Sequence, residues 1–445
     1  MYGRWRDERR ELAILCAAFA IFLIYAYPGY TSPDSVQQLA QARSHVYADG
    51  HPPVMAALWS LTDHVIAGPL GMLLIQGLAL LVGLYVLLRR HVRPLAAAIC
   101  ASAVFLAPPV IVVTAVIWKD SQMAAFFVLG TALIADRRVA VRWCGFAAIT
   151  LAIAMRYNAC VAAPPLFLFM WSSPPGRRTL ARIALAVALW VGSTGIAMAA
   201  NRALTTVHER PWSYSVGPAD IVGILANTKR AYSDAELEQI LAGTPLVVHA
   251  HIQAEAKLGY NPTLWWWVIN GKYRVFTWPA NDAQCAAVAR AWRTLVRAEL
   301  GPYVHHRSRV FRAMLQTGTI YNELVTNPVV HTHLRETGTE PAWGPPQVWL
   351  QDALDWLVET TPIFRPYIYL LVALLFIPIA IRQRAALALL LSGILYEVTF
   401  LPFSPSAEYR YSHWMITCTL VAIVLLVRAR AAQRVLTRTS GRPSK

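Results

Sequence analysis

A carboxylate that can take a proton, set among cations that can steady a departing anion, is enough for a displacement reaction, and this chain has the residues for both. The stretch 30–53, YTSPDSVQQLAQARSHVYADGHPP, places Asp34, Gln37, Gln38, Asp49 and His51 among turn-forming Pro and Gly residues. Three further mixed clusters interrupt apolar sequence: Lys119-Asp120, Arg156-Tyr157-Asn158, and Glu408 with Arg410 and Tyr411. Asp34 is the candidate base. Lys119, Arg156 and Arg410 are candidate phosphate partners, Arg through its planar fork and Lys as a point charge. Gln37, Gln38, His51, Asp120, Tyr157, Asn158, Glu408 and Tyr411 complete the candidate substrate-binding set. Each has a plainer alternative. Asp34 after Pro33 could simply cap a short helix, Lys119-Asp120 and Glu408-Arg410 could be local ion pairs, and His51 before Pro52-Pro53 could make a structural hydrogen bond.

The elements that must position these residues follow from composition. A chain of 445 residues that is 56% hydrophobic and 14% charged, with mean hydropathy +0.42, is too apolar for an ordinary soluble domain and reads as a polytopic membrane protein. Its net charge of +16 collects in short Arg clusters between apolar runs, such as Arg89, Arg90 and Arg93 or Arg137, Arg138 and Arg142. This is the positive-inside pattern and not a nucleic-acid surface.

A hydrocarbon core needs about 20 apolar residues per helix. By that length ten spans are expected: 12–28, 70–88, 95–117, one ending by Arg137, 143–156, 159–171, 183–200, 367–381, 385–403 and 413–427. Pro164-Pro165 makes the fifth and sixth candidates for broken or shallow helices. The expected fold is all-α, with an N-terminal transmembrane module over 1–200 that carries an outer loop at 30–69. A mainly helical extracytoplasmic domain follows over 201–365, and a C-terminal transmembrane module with a basic tail over 366–445. The first span reads as retained, and ten spans put both termini in the cytoplasm.

Other signals carry less. Five of the six cysteines lie in apolar segments, leaving Cys285 alone in the polar region, so no disulfide framework is available there. His331 and His333 have a ligand-like spacing without a third ligand, and no metal site is read from them. His305-His306 among Arg307, Arg309 and Arg312 reads as a basic outer patch. No Walker loop, GxSxG elbow, HExxH or CxxC occurs, which removes support for ATPase, serine hydrolase and zinc protease readings.

With that topology all four polar clusters fall on the outer face, where charged groups near a bilayer mark a functional cavity. No nucleotide-sugar pool is expected there, so an energy-rich donor must arrive attached to lipid, and a polyprenyl-phosphate sugar meets that need. The outer-loop acid after the first span, together with PDSVQQ, GHPP, WKD, RYN and EYRY, resembles the GT-C superfamily of polyprenyl-phosphate-sugar glycosyltransferases over about 1–171 and 385–427. The resemblance implies an inverting transfer of a sugar to a lipid, glycan or protein acceptor, with the periplasm-facing site of a bacterial inner-membrane enzyme and Asp34 as the catalytic carboxylate of its first outer loop, acting as base. Where many members carry an acidic pair, this chain has Asp34-Ser35. No cofactor is required by the residues, and a divalent cation is the one the resemblance leaves open. A transporter or flippase of a lipid-linked saccharide, or a non-catalytic membrane assembly partner, are the competing readings.

Overall fold

The computed structural model describes residues 2–171, 179–318 and 344–440, with side chains from residue 8 to residue 428 of these. His331 and His333 lie outside the described residues. Among the described residues the chain is helical, as expected. Its extended pairing amounts to two isolated bridges, Tyr30 with Val116 and Leu246 with Phe276.

Two compact units form. The first is Met1–Thr206, Tyr321–Glu397 and Arg410–Lys445; the second is Val207–Ile320 and Val398–Tyr409. The second unit therefore differs in extent from the 201–365 stretch. Helix Pro345–Thr360 belongs to the first unit, where Gln351 Oε1 accepts from Tyr25 Oη at 3.3 Å.

Within the first unit, α1 (Tyr2–Ala26), α2 (Pro33–Ser44), α3 (Pro53–Val65), α4 (Leu70–Arg89), α5 (Pro94–Phe105), α6 (Pro108–Thr114), α7 (Lys119–Ile134) and α8 (Val139–Met155) follow in order. Among the described residues four helices are long and apolar enough to cross a membrane: Leu70–Arg89, Thr179–Leu204, Arg384–Phe403 and Tyr409–Arg428. Shorter apolar helices, Val139–Met155, Tyr157–Met170 and Pro366–Ala380, stand at three more expected positions.

The expected span at 95–117 is not one helix. α5 and α6 meet at 67°, because Pro108 disfavours helical backbone at the residue before it and Pro109 removes a further donor. That bend returns residues 115–118 to the first loop. Tyr30 N–H donates to Ala115 O (3.0 Å) and Ile117 N–H to Tyr30 O (2.8 Å). Gln76 on α4 donates to Val116 O at 3.0 Å, so three elements fix one corner. α4 also packs closely on α7, where a Cβ at Gly83 would come within 2.7 Å of the Leu129 backbone.

The second unit is built around α9 (Val216–Asn227), which contributes Ile221, Val222, Ile224 and Leu225 to a core shared with Leu237, Phe276, Val288 and Leu295. Helix Leu300–Met314 packs on α9 and corrects the expected outer patch. His305 is exposed, but His306 and Arg307 are buried. Arg307 Nη2 donates to Asp220 Oδ2 at 2.7 Å, and His306 Nε2 lies 3.2 Å from Asp220 Oδ1. A carboxylate distant in sequence on α9 turns two of the five residues of a basic surface run into a core ion cluster.

Candidate functional site

Local sequence sets the position of Asp34. Pro33 opens α2 with its fixed φ, Ser32 takes the cap position, and Asp34 falls in the first turn, where the helix dipole favours a carboxylate. The Ser32 N–H donates to Ser35 Oγ (3.1 Å), Ser35 Oγ donates to Ile117 O (2.7 Å), and Trp118 Nε1 donates to Ser32 Oγ (2.8 Å). The cap is made by serines, so the Asp34 carboxylate is left for another partner. Trp118 ends the same corner, and α7 begins at Lys119, which puts Asp120 in its first turn. Two carboxylates thus stand at two helix N-termini that share one hydrogen-bonded corner.

The cations reach this corner from elsewhere in the chain. Arg410 Nη2 donates to Asp34 Oδ2 at 2.8 Å, and Arg410 Nε lies 4.0 Å from Asp120 Oδ2. Arg156, extended between α8 and the 3-10 turn Tyr157–Ala162, pairs with Asp120 Oδ1 and donates to Asn158 Oδ1 at 3.3 Å. The guanidinium of Arg410 stacks 4.6 Å over Trp118, and that of Arg156 stacks 4.6 Å over Tyr411. Stacking holds each planar fork while leaving its edge for hydrogen bonds.

On the other side of Asp34, Lys119 Nζ lies 2.6 Å from His51 Nδ1, and His51 Nε2 lies 3.7 Å from Asp34 Oδ1. An ammonium has only protons to give, so His51 Nδ1 accepts, which places the proton of the neutral ring on Nε2, facing the carboxylate. Burial and the Lys119 charge push His51 down to about 3, so the ring is neutral at ordinary pH. For Asp34, burial opposes ionisation. The charges of Arg410, His51 and Lys119 and the Arg410 hydrogen bond outweigh it, holding the carboxylate well below its usual range.

Burial divides the cluster into a rim and a floor. The Asp34 side chain is 29% exposed and its neighbours His51, Lys119 and Asn158 are half-buried, whereas Asp120 is 0% exposed and Arg156, Arg410 and Tyr411 are buried. With His51 neutral, three cations face two carboxylates, and the formal surplus is one positive charge. An anion is the complement such a rim can accept.

Most of the candidates from sequence meet here: Asp34, His51, Lys119, Asp120, Arg156, Asn158, Arg410 and Tyr411. Tyr157 is exposed and donates to Asp49 O at 3.0 Å, tying the first loop to the same edge. Gln38 is buried on α2 and donates to Asp34 O (3.3 Å), so it supports the helix, while Gln37 faces solvent. Glu408 belongs to the second unit and is half-buried there. The site also uses residues not singled out from sequence. Trp118, Ser32 and Ser35 build the corner, and Ser412 Oγ donates to the buried Glu397 Oε1 at 2.6 Å just beyond Tyr411. The signals were present: an indole beside Lys119-Asp120, and a lone acid in the apolar run LLLSGILYEV.

Among the described residues no three His, Cys, Asp or Glu side chains gather as metal ligands. Asp34 and Asp120 are each engaged by an arginine, and that donor set does not fit a divalent cation, so no step is routed through one. No protein-family model matches the chain, and no curated protein matches it. The crystal structure of ArnT from Cupriavidus metallidurans in the apo state aligns over 95% of this chain and 78% of its own, at 14% sequence identity and a TM-score of 0.34. A likeness at that level assigns no role to any residue of the site.

Proposed function

We propose that this chain is an integral membrane glycosyltransferase that moves a sugar from a polyprenyl-phosphate donor to a lipid, glycan or protein acceptor at the outer face of the cytoplasmic membrane. The observation that carries the reading is a partly exposed carboxylate held at the edge of a cluster with surplus positive charge, beside long apolar helices. Asp34 Oδ1 takes the proton of an acceptor hydroxyl as that oxygen attacks the anomeric carbon. The bond from that carbon to the phosphate oxygen breaks with inversion, and the phosphate leaves on its lipid. Lys119 at the rim meets the phosphate directly, while Arg410 and Arg156 act from the floor, where low dielectric strengthens them.

The free arrangement makes Asp34 a weak base, because Arg410 occupies its Oδ2. A phosphate seated beside Lys119 competes for Arg410, and withdrawal of that hydrogen bond makes the carboxylate more basic as the donor arrives. His51 Nε2 stands 3.7 Å from Oδ1 and turns its proton toward that oxygen through the step. A density map of the full chain with a polyprenyl-phosphate sugar tests the arrangement. Phosphate density beside Lys119 and Arg410 is the expected result, and density seated away from all three cations would contradict it.

A further inference from the structure

The second unit carries an exposed strip whose composition points to a partner other than water. Leu258, Trp266, Trp267 and Tyr273 are 60, 41, 39 and 38% exposed, and Lys257, Lys272 and Arg274 beside them are exposed as well. The strip is continuous. Trp266 and Trp267 stack at 5.1 Å, Gly271 lies against Trp267, and Lys272 Nζ stands 5.2 Å over the Tyr273 ring. Gly259, next to Leu258, packs against the Tyr273 carbonyl. Between Glu255 and Asp282 the sequence has no acid.

Large aromatic side chains gathered on a surface mark an interaction site. Indole and phenol rings favour the headgroup level of a bilayer, where one edge is apolar and the other wet. Cations with no opposing carboxylate favour anionic headgroups. A sugar-stacking platform would need carboxylates beside the rings to accept from hydroxyls, and within 256–281 the charged residues are cations alone.

We infer that this strip rests on the membrane interface, with the Trp266, Trp267 and Tyr273 rings at headgroup depth and Lys257, Lys272 and Arg274 against anionic phospholipid. It rests on the membrane-bound character of the chain and is independent of the transferase reading. The test places p-benzoylphenylalanine at position 267 or 273, or at exposed Arg290 as the control, in the full chain in phosphatidylcholine nanodiscs with or without phosphatidylglycerol. Illumination should give a phospholipid adduct at 267 and 273 and none at 290, with yield rising several-fold when phosphatidylglycerol is present. Combining Lys257→Gln, Lys272→Gln and Arg274→Gln should remove that rise. A missing lipid adduct at both positions, or an adduct formed only with added oligosaccharide or a second protein chain, would overturn the inference. Equal yield with and without phosphatidylglycerol would overturn its charge component.

Discussion

Two clusters in this molecule are assembled from the same side-chain types, a carboxylate, a guanidinium, an imidazole and an indole, and they do different work. In the second unit Asp220 accepts from Trp292 and Arg307 and faces His306, and it is 0% exposed. One arginine there meets one carboxylate, and Arg307 also donates to Ser404 O at 2.7 Å. In the first unit Asp34 reaches solvent, three cations face two carboxylates, and the most accessible cation, Lys119, leans on a neutral histidine. Charge balance and access, and not residue type, separate an internal brace from a place where an anion can bind.

The comparison can be broken by substitution, and the largest effect should fall on the brace. Asp220→Ala strands Arg307 in the core of the second unit and should cost about 3–5 kcal/mol of stability, read by thermal or denaturant unfolding. Asp34→Ala should cost clearly less, because its carboxylate is partly exposed and Arg410 keeps Asp120 and the Trp118 ring as neighbours. Equal losses would erase the distinction. Arg156→Ala follows in size, since it leaves fully buried Asp120 with only the more distant Arg410. A loss of about 3 kcal/mol is expected, so reduced activity in that variant must be read beside its folding.

Lys119→Ala should act chiefly on binding. A charged hydrogen bond contributes about 1.5–3 kcal/mol, and donor affinity measured by titration should fall roughly ten- to hundred-fold with the fold retained. Unchanged affinity would move the phosphate elsewhere.

A separate effect falls on pH dependence. His51 sits near 3 in the fold and near about 6.5 in an unfolded chain, so between those values the unfolded chain binds more protons. Stability of the first unit should rise with pH through that window and fall as pH drops through it. Asp34 adds in the same direction: its contribution is present above the ordinary carboxylate range near about 4 and is lost only at lower pH, because its folded value is depressed. His51→Asn should flatten the difference in unfolding temperature between about pH 4 and about pH 7, and an unchanged difference would remove His51 as the titrating group.

Much of this was legible in the chain. Apolar runs, basic clusters and the proline-rich first loop specify helices and their order, and the four interruptions at 34–51, 119–120, 156–158 and 408–411 mark where polar side chains enter apolar surroundings. What the residues did not disclose was pairing. Asp34 and Arg410 are separated by 376 positions, and no local pattern says that this arginine would choose that acid. The bend at Pro108-Pro109 was written in the sequence, yet a length rule passed over it. His306-Arg307 misled for a related reason. On a helix surface they look solvated, and Asp220 on α9 compensates their burial.

In the proposed transfer Asp34 takes the proton while the cations hold the phosphate. Single-turnover transfer from a polyprenyl-phosphate sugar, with wild type and Asp34→Asn compared beside equilibrium donor binding, addresses it most directly. Donor affinity should stay within a few-fold of wild type while transfer falls by about 10²–10⁴. Normal turnover by a folded Asp34→Asn protein would contradict it.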